Sequence, residues 1–329
     1  DDQDGGKLPI NLFGSVNKKN KIKTTIEFSG NNYPNAGFLM QRSCSINNIK
    51  FQGNGNQPAI VKIFVKRPED DPLNDETNEN DTDSSVINCE FTQFGPIGVE
   101  YNGRNCKVQQ CDFKDTTSRD KTAIWHYFKN IFEDVDPDKP NKKPARGQNR
   151  KNDISKNTFT LNPQDICIKL GKSPSHRNSD KYSNYVGLSI NENVVKEGRF
   201  LEIDGATVDN KPQAFFGITI QGNIVEKSQK DTKGAIINMD NCGLSCVISD
   251  STFDGGNKAK HAIYVGSDVD IFSCVINCNF TKFKNEAIVI GKPEGRAAGV
   301  LCTGRITNST NGKNGDKGVG VFTSKSNET

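Results

Sequence analysis

The chain has 329 residues, 33% of them hydrophobic and 25% charged, and its 43 Lys+Arg against 40 Asp+Glu leave a formal net charge of +3. Charges so evenly balanced argue against an electrostatic nucleic-acid binder, and no apolar run reaches the ~18 residues that a membrane-spanning helix needs. Three His and two Met leave little for histidine or metal chemistry, so no metal or other cofactor is expected.

The first residues, Asp1-Asp2-Gln3-Asp4-Gly5-Gly6, carry neither an initiator methionine nor a signal peptide, and residues 1–20 read as the lead-in of a cut or processed chain. From there on, 38 asparagines and 30 glycines punctuate short β-branched runs, the texture of many strands joined by tight turns. Within that texture one unit recurs, apolar-x-x-small-x-apolar. In chain order its copies are Ile46–Ile49–Phe51, Val86–Cys89–Phe91, Val108–Cys111–Phe113, Ile154–Asn157–Phe159 and Ile190–Asn193–Val195. They continue at Ile220–Asn223–Val225, Ile248–Ser251–Phe253, Val275–Cys278–Phe280 and Leu301–Gly304–Ile306. A second apolar element follows each copy, at 59–65, 97–101, 123–128, 166–170, 199–205, 234–239, 261–266, 286–291 and 318–323.

Towards the C-terminus the spacing of the middle positions settles to 28, 27 and 26 residues, in the range of strand-based solenoids. A unit this small cannot bury its own apolar face, so neighbours must stack and share one core. Each strand then alternates inward apolar and outward polar residues, with Ile263, Val265, Ile288 and Ile290 expected inside. The corner between strands admits only small side chains, and asparagine there can hydrogen-bond along a ladder of stacked copies. Length alone would suggest two domains, but the repeat makes 21–325 one stack, with 326–329 as a tail.

Two polar insertions interrupt it, at 67–83 and 129–151. The first holds eight acids and no base over 68–83, the second six bases and no acid over 139–151. One stretch is ambiguous: Ile124, Tyr127, Phe128, Ile131 and Val135 also fit a helical face. An antiparallel sandwich would likewise give many short strands, but a two-part unit repeated at such even spacing argues against it.

These residues resemble the right-handed parallel β-helix proteins of the pectate-lyase-like superfamily, over roughly 20–325. The segment Lys21–Phe28 resembles the first coil of bacteriophage tailspike and tail-associated β-helices. The resemblance implies an all-β, right-handed, single-stranded parallel β-helix of about nine coils. It also implies a homotrimer carried on a virion beside other virion proteins. Ten cysteines, mostly in apolar runs, act as small hydrophobes. Cys242/Cys246 and Cys274/Cys278 are each four apart without a histidine at zinc-site distance. Free core thiols fit folding in a reducing compartment such as a host cytoplasm.

Candidate chemistry lies on outward positions. Glu202 and Asp204 are two apart on one strand and face the same side, with Cα atoms roughly 6.5–7 Å apart; a glycosidase needs two such carboxylates. Asp240 lies just past the strand of the next coil, and Asp268 follows in a later one. Polygalacturonase-like Asn-Thr-Asp, Gly-Asp-Asp and Arg-Ile-Lys runs are missing. The acidic insertion offers oxygen ligands for calcium but no fixed spacing. Trp125 and Tyr127 share one face and His126 the other. With Tyr264 they are candidate carbohydrate-binding aromatics, or they pack beneath the basic insertion or another subunit. Three functions stay open: a virion protein that binds host-surface polysaccharide without cleaving it, a polysaccharide depolymerase, or a bacterial surface adhesin. None calls for nucleic acid or membrane insertion.

Overall fold

The computed structural model describes residues 10–17, 21–30, 33, 36–40, 44–64, 84–103, 105–116, 120–129, 152–177, 182, 184–208, 211–226, 232–266, 268–290 and 299–307. The insertion 67–83, residues 130–151 of the second insertion, the last expected strand 318–323 and the tail 326–329 lie outside them. Every element among the described residues is a strand, and no helix is long and apolar enough to cross a membrane.

Two sheets hold the described strands, one of 19 strands and one of nine. The second sheet stacks Phe38–Met40, Ala59–Phe64, Ile97–Asn102, Thr122–Tyr127, Ile166–Gly171, Arg199–Asp204, Thr232–Asp240, Ala259–Val265 and Ile288–Ile290 in chain order. All eight of its ladders are parallel. It contains eight of the nine expected second elements, and adds Phe38–Met40 ahead of them. The only antiparallel ladder among the described strands joins Thr207–Val208 to Lys211–Pro212. The chain is all-β with long parallel sheets, the arrangement of a parallel β-solenoid rather than of an antiparallel sandwich.

The first sheet contains all nine copies of the small-residue unit, preceded by Ile10–Phe13 and Thr24–Glu27, which pair with Cys44–Asn47 and Ile49–Gln52. In most copies a bend divides the unit. A residue with left-handed backbone sits just before the small position: Asn48, Asn88, Gln110, Lys156, Glu192, Gly222 and Asp250, with φ between 50° and 65°. Asparagine and glycine tolerate that region best. Behind the bend the small residues stack. Asn157 Nδ2 donates to Asn193 Oδ1 and Asn193 Nδ2 to Asn223 Oδ1, each at 3.0 Å. The same oxygens accept the backbone N–H of Asn157 and of Asn193, and Ser251 Oγ accepts that of Asn223. All four side chains are fully buried. A buried amide is tolerated only when its donors and acceptors are met, and the stacking meets them.

Inward residues of both sheets merge into one hydrophobic core, including Ile263, Val265, Ile288 and Ile290. Phe51, Phe91, Phe113 and Phe159 stack through it with centroids 5.2, 4.7 and 5.3 Å apart. Residues 122–127 form the strand, in register with both neighbours, and inward Ile124 and His126 alternate with outward Trp125 and Tyr127; Ile131 and Val135, on which a helix following it would rest, lie outside the described residues. One expectation needs correction. In the last two copies Ile276 and Cys302 take the inward position, while Leu301 is 57% exposed and Val275 half-buried. No left-handed residue precedes the small position there, and the two strands pair through the corner without a register shift.

Candidate functional site

The outer face of the second sheet is read off its register. One column runs Leu39, Lys62, Glu100, Trp125, Lys169, Glu202, Asn238, Tyr264 and Val289, each the Cα partner of the next. Successive members are ~4.8 Å apart, the spacing of hydrogen-bonded strands. Three residues singled out from the sequence, Trp125, Glu202 and Tyr264, therefore lie in one line.

The column is laced by charge. Lys62 Nζ lies 2.8 Å from Glu100 Oε1. Lys169 Nζ lies 4.7 Å from the centre of the Trp125 ring and 2.6 Å from Glu202 Oε1. Arg199 Nη2 holds the other Glu202 oxygen at 3.1 Å. The Trp125 indole N–H donates to the Lys172 carbonyl at 2.7 Å. Cation–π contact and ion pairing both act on Lys169, which fixes it between the indole and the carboxylate.

Tyr127 is placed differently. It is 3% exposed and packs with Tyr182 and Ala206, Trp125 lying against them. Its hydroxyl donates to Glu100 Oε1 at 2.6 Å. A ring so enclosed offers no face to a sugar; it shores up the column from beneath. His126 points the opposite way, into an aromatic box of Tyr101, Phe128 and Tyr185. Burial pushes its imidazole down to about 4, against the hydrogen bond to the Gly103 carbonyl.

The neighbouring column brings Tyr127, Gly171, Asp204 and Asp240 into line. Asp204 Oδ1 accepts from Lys172 Nζ at 2.8 Å and from Asn241 Nδ2 at 3.0 Å. Asp240 is bonded by the Asn238 amide. Burial pushes the Asp240 carboxyl above the usual carboxylate range; the Asn238 bond opposes this, while Asp268, Asp204 and Glu202 add repulsion. Gly266 lies between two of these acids: a Cβ there would stand 2.1 Å from Asp240 Oδ1 and 3.0 Å from Asp268 Oδ1. Any larger residue there would collide with the Asp240 carboxylate. Beside them opens a groove of about 200 Å³ lined by Lys172, Lys211, Pro212, Asn241 and Asp268.

Glu202 and Asp204 thus face the same side, as their spacing requires, but each is tied to basic or amide partners. On this face burial raises the proton affinity of Asp240, and elsewhere in the fold it raises that of Asp165. A second groove, about 220 Å³, lies on the first sheet among Gln109, Asp153, Ser155, Asn191 and Glu192; it has no aromatic wall. No group of three or more His, Cys, Asp or Glu among the described residues is arranged to hold a metal ion.

Sequence reasoning passed over Lys169, Arg199 and Asn238. Their signal was available: writing the second elements one above another at the register of their inward residues puts Lys62, Glu100, Trp125, Lys169, Glu202, Asn238 and Tyr264 in one column. Compared with protein-family models, with curated proteins and with solved structures, the chain matches none.

Proposed function

We propose that the chain is a right-handed parallel β-helix carried as a homotrimer on a phage particle. In this reading the outer face of its second sheet binds an extended host-surface polysaccharide without cleaving it. The observation that carries the reading is the column Trp125–Lys169–Glu202–Asn238–Tyr264. It sets side chains at a constant interval along a rigid ladder, which suits a polymer that repeats at a constant interval. Glu202 is held in two ion pairs and acts as a hydrogen-bond acceptor for hydroxyls. Asn238 adds amide donors and an acceptor, and Tyr264 a half-buried ring. The buried thiols support folding in a reducing host cytoplasm.

Calorimetric titration with purified capsular and lipopolysaccharide glycans tests this. Asn238→Ala and Tyr264→Ala are expected to weaken binding at least about tenfold, equivalent to about 1.4 kcal/mol, with unchanged melting. Absence of binding by the trimeric full chain, or equal binding by both variants, overturns it.

One observation favours a second reading, a depolymerase. Asp240, raised in proton affinity by burial, is the Cα partner of Asp204 on the adjacent strand, and Asp204 is ion-paired to Lys172. Two neighbouring carboxyl groups, one of them favoured in its acid form, are the parts of a glycosidase. Reducing-sugar release that disappears in Asp240→Asn would establish it, and no release from any glycan that binds would remove it.

A further inference from the structure

The sheet opposite this face carries a feature that neither reading uses. Cys246 and Cys274 are Cα partners on the parallel strands Cys242–Asp254 and Asp270–Thr281. Strands in a sheet lie ~4.8 Å apart, inside the roughly 4.4–6.8 Å range of Cα separations that a disulfide bridges. Both side chains point inward, 3% and 2% exposed, and their sulfurs are 3.4 Å apart. A second stacked pair, Cys89 and Cys111, also shares a side-chain hydrogen bond, but there each sulfur lies 3.3 Å from a backbone carbonyl as well, of Ile87 and Gln109.

We propose that Cys246 and Cys274 are a redox site: a peroxide closes them into a disulfide that staples two adjacent turns of the solenoid. The Cys246 S–H aimed at it holds the Cys274 thiol below its ordinary value, favouring the nucleophilic thiolate. That thiolate attacks one oxygen of hydrogen peroxide, breaking the O–O bond and giving a sulfenic acid and hydroxide. The Cys246 sulfur then attacks the sulfenic sulfur and expels its oxygen. The two thiol protons leave in water, so two thiols and one peroxide become one disulfide and two waters. A small oxidant is required, because the thiols are enclosed. Access comes from the bulged Phe272 and exposed Ser273 immediately before Cys274.

The bond would close a 28-residue loop and restrict the unfolded chain. The chain would therefore fold as a dithiol and be locked on meeting an oxidant.

The test treats the native full chain with a small excess of hydrogen peroxide, then denatures, alkylates and maps its peptides. The expected result is a loss of about 2 Da, one linked peptide pair containing Cys246 and Cys274, reversal by dithiothreitol, and a melting temperature several degrees higher. Cys246→Ala is compared only with its own untreated form, so any loss of stability from the substitution cancels; no rise on treatment is expected. Three results overturn the proposal: both thiols alkylated after treatment, a link between other cysteines, or Cys274 carried to the sulfinic acid without a link.

Discussion

Two stretches of this chain share five of six residues and differ in shape. Val86-Ile87-Asn88-Cys89-Glu90-Phe91 bends at Asn88, φ 50°, and buries Val86, Cys89 and Phe91. Val275-Ile276-Asn277-Cys278-Asn279-Phe280 runs straight and buries Ile276, Cys278 and Phe280. Local propensity cannot explain this, since the tetrapeptide at the corner is identical. Pairing does. Asn88 lies between two other bent turns, at Asn48 and Gln110, and donates its amide to Asn48 Oδ1 at 2.7 Å. The straight copy pairs Leu244 with Ile271 and Phe253 with Phe280, so equal lengths of chain must span the same distance. One strand takes up its extra residue at Asp250, the other at Phe272. There the ring covers Gly243 and meets Phe216 at 5.4 Å. The bulge has moved to where an aromatic contact rewards it, and that also brings Cys274 level with Cys246.

The comparison can be broken hardest at the bent end. Asn193→Ala would remove the buried partners of the Asn157 N–H, of one Asn157 amide hydrogen (the other stays bonded to the Val108 carbonyl) and of the Ile154 carbonyl. Chemical denaturation is expected to show a loss of about 3–5 kcal/mol, since each orphaned group costs about 1–3. A loss under 1 kcal/mol would mean that the asparagine ladder is not what stabilises the bends.

Acid should separate the two regions next. His126, in the bent region, is neutral when folded, its value lowered to about 4 from an ordinary 6.5. Above pH 6.5 its contribution is intact. As pH falls from there towards 4 the unfolded chain takes up a proton that the folded one refuses, so stability drops by up to about 3 kcal/mol. Hydrogen exchange at pH 4.5 should show protection lost first around Thr122–Tyr127 rather than around Asp270–Thr281. His126→Phe should flatten the pH dependence; if its slope matches the parent's, other groups are responsible.

The finest probe uses the shared asparagine. Asn88→Ala forces an alanine into left-handed backbone and breaks one hydrogen bond, for about 1–2 kcal/mol. Asn277→Ala, exposed on a straight strand, should fall within about 0.5 kcal/mol. Equal losses in thermal melts would show that the two copies share one conformation after all.

Much of the site was legible for the same reason as the fold. Alternation within strands puts Glu202 beside Asp204 and Trp125 beside Tyr127 on the outer face, whatever lies around them. What covers that face is not written in any one strand. Tyr127 is enclosed because Tyr182 and Ala206, distant in the chain, fold over it. Asp240 gains proton affinity because burial withdraws water, with Asp268 and Asp204 adding repulsion from other turns. Neither effect has a local signature.

The sequence by itself determined the stacked character of this protein: a unit too small for its own core, repeated with apolar residues two apart and a small residue at the corner, has to share a core with its neighbours. Register followed wherever a phenylalanine or an asparagine could stack only on its like. Only the tertiary structure decided where each turn places its surplus residue, which outward side chains stay open, and which thiols meet. These depend on pairing across about 30 residues of chain. The free energy of a bulge or a buried charge is set by what packs against it, not by the residues on either side.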